Sequence, residues 1–156
     1  MITIMRKSGT VKKIKSLSPA ETLDFGRICA RLVENTAVFA LRGELGAGKT
    51  TFTKGVIKEL GVKKEAVSPA FALLKQYSLS GNWKGWTLYH FDLYRLKSAR
   101  DFLNEGFGEI FKEPKSIILI EWPERISDIL PKERINISFR HAGDSAKNRI
   151  IEIKGL

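Results

Sequence analysis

Residues 43–50 read Gly43-Glu44-Leu45-Gly46-Ala47-Gly48-Lys49-Thr50. This spacing suits a loop wrapped round a polyphosphate. Glycines take backbone angles closed to residues with a Cβ, and they let amide N–H groups come close to an anion. Lys49 offers a cation to the outer phosphates, and Thr50 a hydroxyl to a magnesium ion. Four fixed positions of this kind recur by accident in about half a percent of chains this long. Context narrows that further, because the pattern needs a strand before it and a helix after it. Residues 37–41 are apolar and rich in strand formers, and 49–60 form a helix-compatible run closed by Gly61.

A phosphate cradle that hydrolyses its ligand also needs carboxylates at the ends of neighbouring strands, since magnesium prefers hard oxygen donors. Asp92 ends the run Leu88-Tyr89-His90-Phe91-Asp92, and Glu121 ends Ile117-Ile118-Leu119-Ile120-Glu121. Each places an acid at the rim where α/β sheets bind ligands. Asp92 and Glu121 are therefore the candidate catalytic residues. Ser68-Pro69-Ala70-Phe71 follows the cradle helix closely enough to fold back over a γ-phosphate, although Ser-Pro is also a common turn opener. His90 and His141 lack a histidine partner at ligand spacing and read as structural or solvent-facing. Trp122 suits packing, with stacking on a base as the alternative. No residue stands out as a strong general base or an arginine finger, which implies slow turnover unless a partner completes the site.

The elements that must position these groups follow from pattern. Ser18-Pro19-Ala20-Glu21 opens a helix as N-cap, first-turn proline and capping-box glutamate. Phe25, Ile28, Cys29, Leu32 and Val33 then give it an apolar face. Extended runs at 72–79 and 86–92, joined by Ser80-Gly81-Asn82, predict an antiparallel hairpin. A polar, helical stretch with Gly106 and Gly108 leads to 116–121, a continuous apolar run expected of a strand buried on both faces. Pro123 and Pro131 bracket a short helix. Alternation at Ile135, Ile137 and Phe139, and again at Ile151 and Ile153, predicts two edge strands joined by a loop at 142–148. The fold class is α/β with a mixed sheet, in a single domain spanning 1–156.

Composition agrees. The chain has 156 residues, 43% hydrophobic and 28% charged, as an ordinary globule does. No apolar stretch reaches the roughly 18 residues that span a bilayer, and the N-terminal residues lack the order of a secretory signal, so a cytoplasmic protein is expected. One cysteine excludes an internal disulfide, and Cys29 reads as inert packing. The formal charge of +10 favours an anionic partner such as RNA, yet the basic residues fall in several groups, each of which also suits solvated surface.

The chain resembles the bacterial TsaE (also called YjeE) ATPases of tRNA threonylcarbamoyladenosine synthesis. The resemblance rests on residues 43–52, 67–71, 89–95 (Tyr89-His90-Phe91-Asp92-Leu93-Tyr94-Arg95) and 120–124 (Ile120-Glu121-Trp122-Pro123-Glu124), in the family's order. It implies a P-loop NTPase-like three-layer fold with a central mixed β-sheet. It also implies that ATP is bound by Gly43 through Lys49 with Thr50 and Thr51, that Thr50 and Glu121 hold Mg2+, and that Asp92 supports hydrolysis near the metal. The implied partners are the TsaD–TsaB complex and tRNA within that assembly, with neither DNA nor membrane. The family usually has threonine where this chain has Ala70; if that hydroxyl touches the γ-phosphate or its water in relatives, the resemblance implies slower hydrolysis here or another group in its place. Two other readings stay open: a stand-alone small-molecule kinase, with Arg95 and Arg100 nearest to a basic lid, and an RNA-binding protein that holds ATP only as a structural ligand.

Overall fold

The computed structural model describes residues 11–66, 73–143 and 145–155. In chain order the elements are β1 (Lys12–Ser16), α1 (Pro19–Arg31), β2 (Ala37–Arg42), α2 (Lys49–Glu59), β3 (Val62–Ala66), β4 (Leu74–Leu79), β5 (Thr87–Asp92), α3 (Ala99–Asn104), β6 (Ser116–Glu121), β7 (Ile135–His141) and β8 (Arg149–Lys154). Short 3-10 segments run over Phe107–Lys112 and Pro123–Ile129. The strands form one sheet in the order β1-β8-β7-β2-β6-β5-β4-β3. Its middle, β7-β2-β6-β5, is parallel, and antiparallel pairs flank it on both sides. No helix among the described residues is long and apolar enough to cross a membrane.

Side chains alternate across each strand, so the sheet has two apolar faces. One face packs Phe39, Leu41, Leu119 and Ile137 against α1 and α2. The other packs Val38, Phe91, Ile118 and Ile120 against α3 and the two 3-10 segments. The result is three layers around β6, whose six residues are all buried as the uninterrupted apolar run predicts.

Two features fix α2, the helix that opens at the cradle. Phe52 on its buried side meets Phe25, Phe39 and Phe139 at ring-centroid distances of 5.7, 6.4 and 5.6 Å. Beneath it, α1 and α2 touch backbone to backbone: a Cβ on Gly26 would run into the Phe52 carbonyl, and one on Gly55 into that of Leu23. This approach rotates α1 from the face that periodicity suggests. Its buried residues are Thr22, Phe25, Gly26, Cys29 and Ala30, while Ile28 is only half-buried. Burial also pushes the Cys29 thiol well above its ordinary pKa, in keeping with inert packing.

Ser18 caps α1 by accepting from the Glu21 amide at 3.2 Å, and Glu21 Oε2 accepts from the Leu17 amide at 2.8 Å. The hairpin of β4 and β5 is antiparallel as expected. One expectation fails. The last two strands are not edges, because β1 pairs outside β8 and the edges are β1 and β3.

Candidate functional site

In the loop from β2 to α2, Gly43, Gly46 and Gly48 have φ of 147°, 75° and 114°, a range that side chains with a Cβ rarely adopt. A Cβ on Gly43 would stand 2.5 Å from the Phe139 carbonyl oxygen, and one on Gly48 would reach the Thr22 methyl at 3.4 Å. Contact therefore excludes a side chain at Gly43, and at Gly48 the backbone angle alone disfavours one. Gly48 is the N-cap of α2 and has no side chain to bond the first-turn amides, so an eleven-residue helix presents an uncapped N-terminus at the loop.

Lys49, the first residue of α2, is buried. Its Nζ donates to the carbonyls of Gly43 (2.5 Å) and Glu44 (2.9 Å) and lies 4.0 Å from the centroid of the Trp122 ring. Burial lowers its pKa from the ordinary lysine value, against the opposing pull of Glu121, Glu124 and Asp92. A cation under this desolvation penalty is one that an arriving anion compensates.

Glu121 closes β6 and is 3% exposed. Its Oε2 accepts from Thr50 Oγ1 at 3.0 Å. Its Oε1 lies 2.9 Å from His90 Nε2 and 3.5 Å from Thr53 Oγ1. Asp92 stands opposite Glu121 in the β5–β6 register. It is exposed at the rim, where Oδ1 accepts from the Tyr94 amide at 3.2 Å. A hydroxyl and a carboxylate are hard oxygen donors suited to magnesium. Among the described residues no three His, Cys, Asp or Glu side chains converge on a common point.

A cleft of about 210 Å³ opens before the loop, its lining including Pro19, Thr22, Asp92, Tyr94, Trp122 and Arg149. Arg149, at the start of β8, holds the loop's backbone. Its Nε donates to the Ala47 carbonyl and Nη2 to that of Gly46, both at 2.9 Å, while Nη1 donates to Ala146 and Asn148 at 2.6 and 2.8 Å.

The structure thus gathers Gly43, Gly46, Gly48, Lys49, Thr50, Asp92 and Glu121, with Thr51 half-buried on the cleft wall and Leu45 76% exposed at its mouth. Glu44 is exposed and Ala47 buried within the loop. His90 is part-buried and bonded to Glu121, as a structural histidine is and a solvent-facing one is not, whereas His141 is exposed. Arg95 and Arg100 are exposed and do not line the cleft. The Ser68 to Phe71 segment, Ala70 included, lies outside the described residues. Arg149 escaped sequence reasoning because its contacts span 102 and 103 residues. The one signal on offer was its place at the start of an alternating strand.

A glycine loop that joins a central parallel strand to a helix N-terminus, with acids ending the next two strands, defines a P-loop NTPase-like α/β protein. Comparison with known proteins narrows this. A family model described as "Threonylcarbamoyl adenosine biosynthesis protein TsaE" matches residues 16–151. The tRNA threonylcarbamoyladenosine biosynthesis protein TsaE of Treponema pallidum is 39% identical over 138 residues, covering 88% of this chain and 96% of that one. Its Bacillus subtilis counterpart is 36% identical over 135 residues, covering 86% and 81%. The crystal structure of Bacillus subtilis YdiB superposes with a TM-score of 0.72 at 31% identity, over 95% of this chain and 87% of that one. The chain belongs to the TsaE family of tRNA threonylcarbamoyladenosine biosynthesis.

Proposed function

We propose that the chain is an ATP-binding, slowly hydrolysing switch of that pathway, working in the cytoplasm with the TsaD–TsaB complex and with tRNA in that assembly. The observation that carries this reading is the meeting of Thr50 and Glu121, 3.0 Å apart, beside a buried lysine and a loop whose three glycines hold positive φ. Thr50 and Glu121 are the side chains that would hold magnesium, which when bound neutralises charge on the outer phosphates. Lys49 exchanges its bonds to Gly43 and Glu44 for phosphate oxygens. The amides of residues 46 to 51 and the uncapped start of α2 take the remaining phosphate charge. Asp92, at the rim beside Glu121, orients the attacking water.

Slow turnover follows from what the neighbouring groups are already doing. His90 is engaged with Glu121, and the Arg149 guanidinium is spread over four backbone carbonyls. Neither is free to act as a base or an arginine finger, which supports a site that a partner completes.

Measuring ATP turnover alone, with TsaD–TsaB, and with tRNA added tests the proposal. Stimulation by the full mixture is expected, with Lys49→Ala abolishing nucleotide binding and Glu121→Ala chiefly impairing hydrolysis. Undiminished turnover by Lys49→Ala would contradict the assignment, and zero hydrolysis in the full mixture would favour a protein that only binds the nucleotide.

A further inference from the structure

The helices on the second face of the sheet cover only part of it. The apolar cluster that includes α3 and the 3-10 segments takes strand residues from β2, β4, β5 and β6 and none from β7, β8 or β1. Among the described residues no apolar cluster packs over the same face of those three strands, and its composition is uneven. Strand pairing sets Lys15 beside Ile150 and Arg140 in one row. Lys13, Glu152 and Ser138 follow in the next, continued on β2 by Arg42. Lys154 lies beyond, paired with Asn136.

Ion pairs confirm that these side chains share a face. Glu152 Oε1 meets Arg140 Nη2 at 3.0 Å and Lys13 Nζ at 3.8 Å from the two flanking strands. Five exposed cations therefore surround a single carboxylate. Among the described residues, Lys15, Lys154 and Arg42 have no carboxylate partner.

We infer that this three-strand face binds the phosphodiester backbone of RNA, and that it is how the protein meets tRNA. Two properties favour a polyphosphate over an acidic protein. Side chains on one face of a sheet repeat at about 6.6 Å along a strand and about 4.8 Å between strands, which presents a regular grid of positive charge to a regular line of negative charge. Within the described strand residues the face holds no aromatic side chain and Ile150 is its one aliphatic one, half-buried, while Val11 and Leu17 stand exposed at the two ends of β1. Protein interfaces are anchored by desolvated aromatic or apolar side chains, whereas backbone contacts to nucleic acid need only cations and polar groups. The choice of tRNA rests on the functional reading above. The basic face stands without it.

The test uses the full chain and an unmodified tRNA transcript, with affinity read by fluorescence anisotropy across a salt series. Lys15→Glu with Lys154→Glu reverses two cations outside the nucleotide site, and Lys15→Gln with Lys154→Gln is the gentler pair. Lys58→Glu with Lys84→Glu, at exposed positions away from these strands, controls for net charge. The reversal is expected to weaken tRNA binding about tenfold or more at low salt, and to lower the slope of log K against log salt by roughly 2. Mg·ATP binding stays at the wild-type level in both pairs, which separates failure here from failure of the nucleotide site. Unchanged tRNA affinity, or an equal loss in the control pair, overturns the proposal. So does loss of TsaD–TsaB binding with tRNA affinity intact, which would assign the face to an acidic protein surface.

Discussion

His90 Nε2 lies 2.9 Å from Glu121 Oε1, on the oxygen opposite the one that accepts from Thr50. With its Nε2 protonated, the imidazole donates to the buried carboxylate and fixes its rotation. That leaves Oε2 turned toward the cradle. Side chains that orient a ligating carboxylate in this way are typically worth ten- to a hundredfold in metal affinity. His90→Ala is therefore expected to raise the magnesium concentration needed for half-maximal ATP turnover by about that factor. ATP binding without a divalent ion should not change. His90→Gln, whose amide can donate in the same direction, should recover part of the loss, and a wild-type magnesium dependence in the alanine variant would show the contact to be idle.

Lys49 pairs function with cost. Burial lowers its pKa from the usual lysine value, so the folded chain disfavours the charge that the cradle needs. Lys49→Met should therefore melt no lower than wild type without nucleotide, while the stabilisation that Mg·ATP gives the wild type disappears. A clear drop in the melting temperature of the free variant would mean that the bonds to Gly43 and Glu44 outweigh the desolvation term.

Arg149 spreads one guanidinium over Gly46, Ala47, Ala146 and Asn148. Hydrogen bonds from charged donors contribute about 1.5–3 kcal/mol each. Arg149→Ala should weaken nucleotide binding roughly tenfold or more by loosening the loop. Arg149→Lys should restore little, since an ammonium lacks the planar fork that reaches two carbonyls at once. Equal affinity in the lysine and wild-type proteins would rule out the clamp geometry.

The α1–α2 contact has no room for a methyl group, because a Cβ on Gly55 would meet the Leu23 carbonyl. Gly55→Ala must separate the helices and is expected to cost about 2 kcal/mol. That corresponds to a fall of roughly 4–8 °C in melting temperature. Calorimetric melting checks this, and an unchanged transition would mean that the helices part freely.

On the outer side of the same helix pair, Glu59 accepts from Arg31 at 2.6 Å and from Arg27 at 3.0 Å. Its hydrogen bond with Arg31, ahead of all other influences, holds the carboxyl below its ordinary 4.5. A carboxylate whose folded pKa lies under its unfolded one adds stability that is whole above the unfolded value and fades as pH falls through the folded value. Glu59→Gln should therefore be less stable than wild type at pH 7, with the gap closing below about pH 4. Arg31 is exposed and Arg27 partly so, so the difference should be small and shrink with added salt.

How far this could be seen in the sequence depends on where the controlling forces act. The glycine loop, the strand-end positions of Asp92 and Glu121, and the buried strand β6 were legible because local backbone angles and apolar runs dictate them. The edges β1 and β3 were not. Lys-Lys-Ile-Lys-Ser and Val-Lys-Lys-Glu-Ala carry little apolar pattern, since an edge strand needs only one ladder and its charges discourage further pairing. The contacts of His90 and Arg149 were missed for another reason: what they touch is set by sheet order, which brings residue 121 to 90 and residue 149 to 46. The turn of α1 toward α2 follows from two glycines on different helices, and neither alone marks a contact.

The central claim is that the loop at 43–50 grips a nucleoside triphosphate with its magnesium. Isothermal titration of the wild-type chain with Mg·ATP, beside Thr50→Ala and Lys49→Met, tests it most directly. Saturable heat in the wild type, a weakened and magnesium-insensitive response in Thr50→Ala, and none in Lys49→Met are expected. No heat from the wild type, alone or with TsaD–TsaB present, would contradict the account.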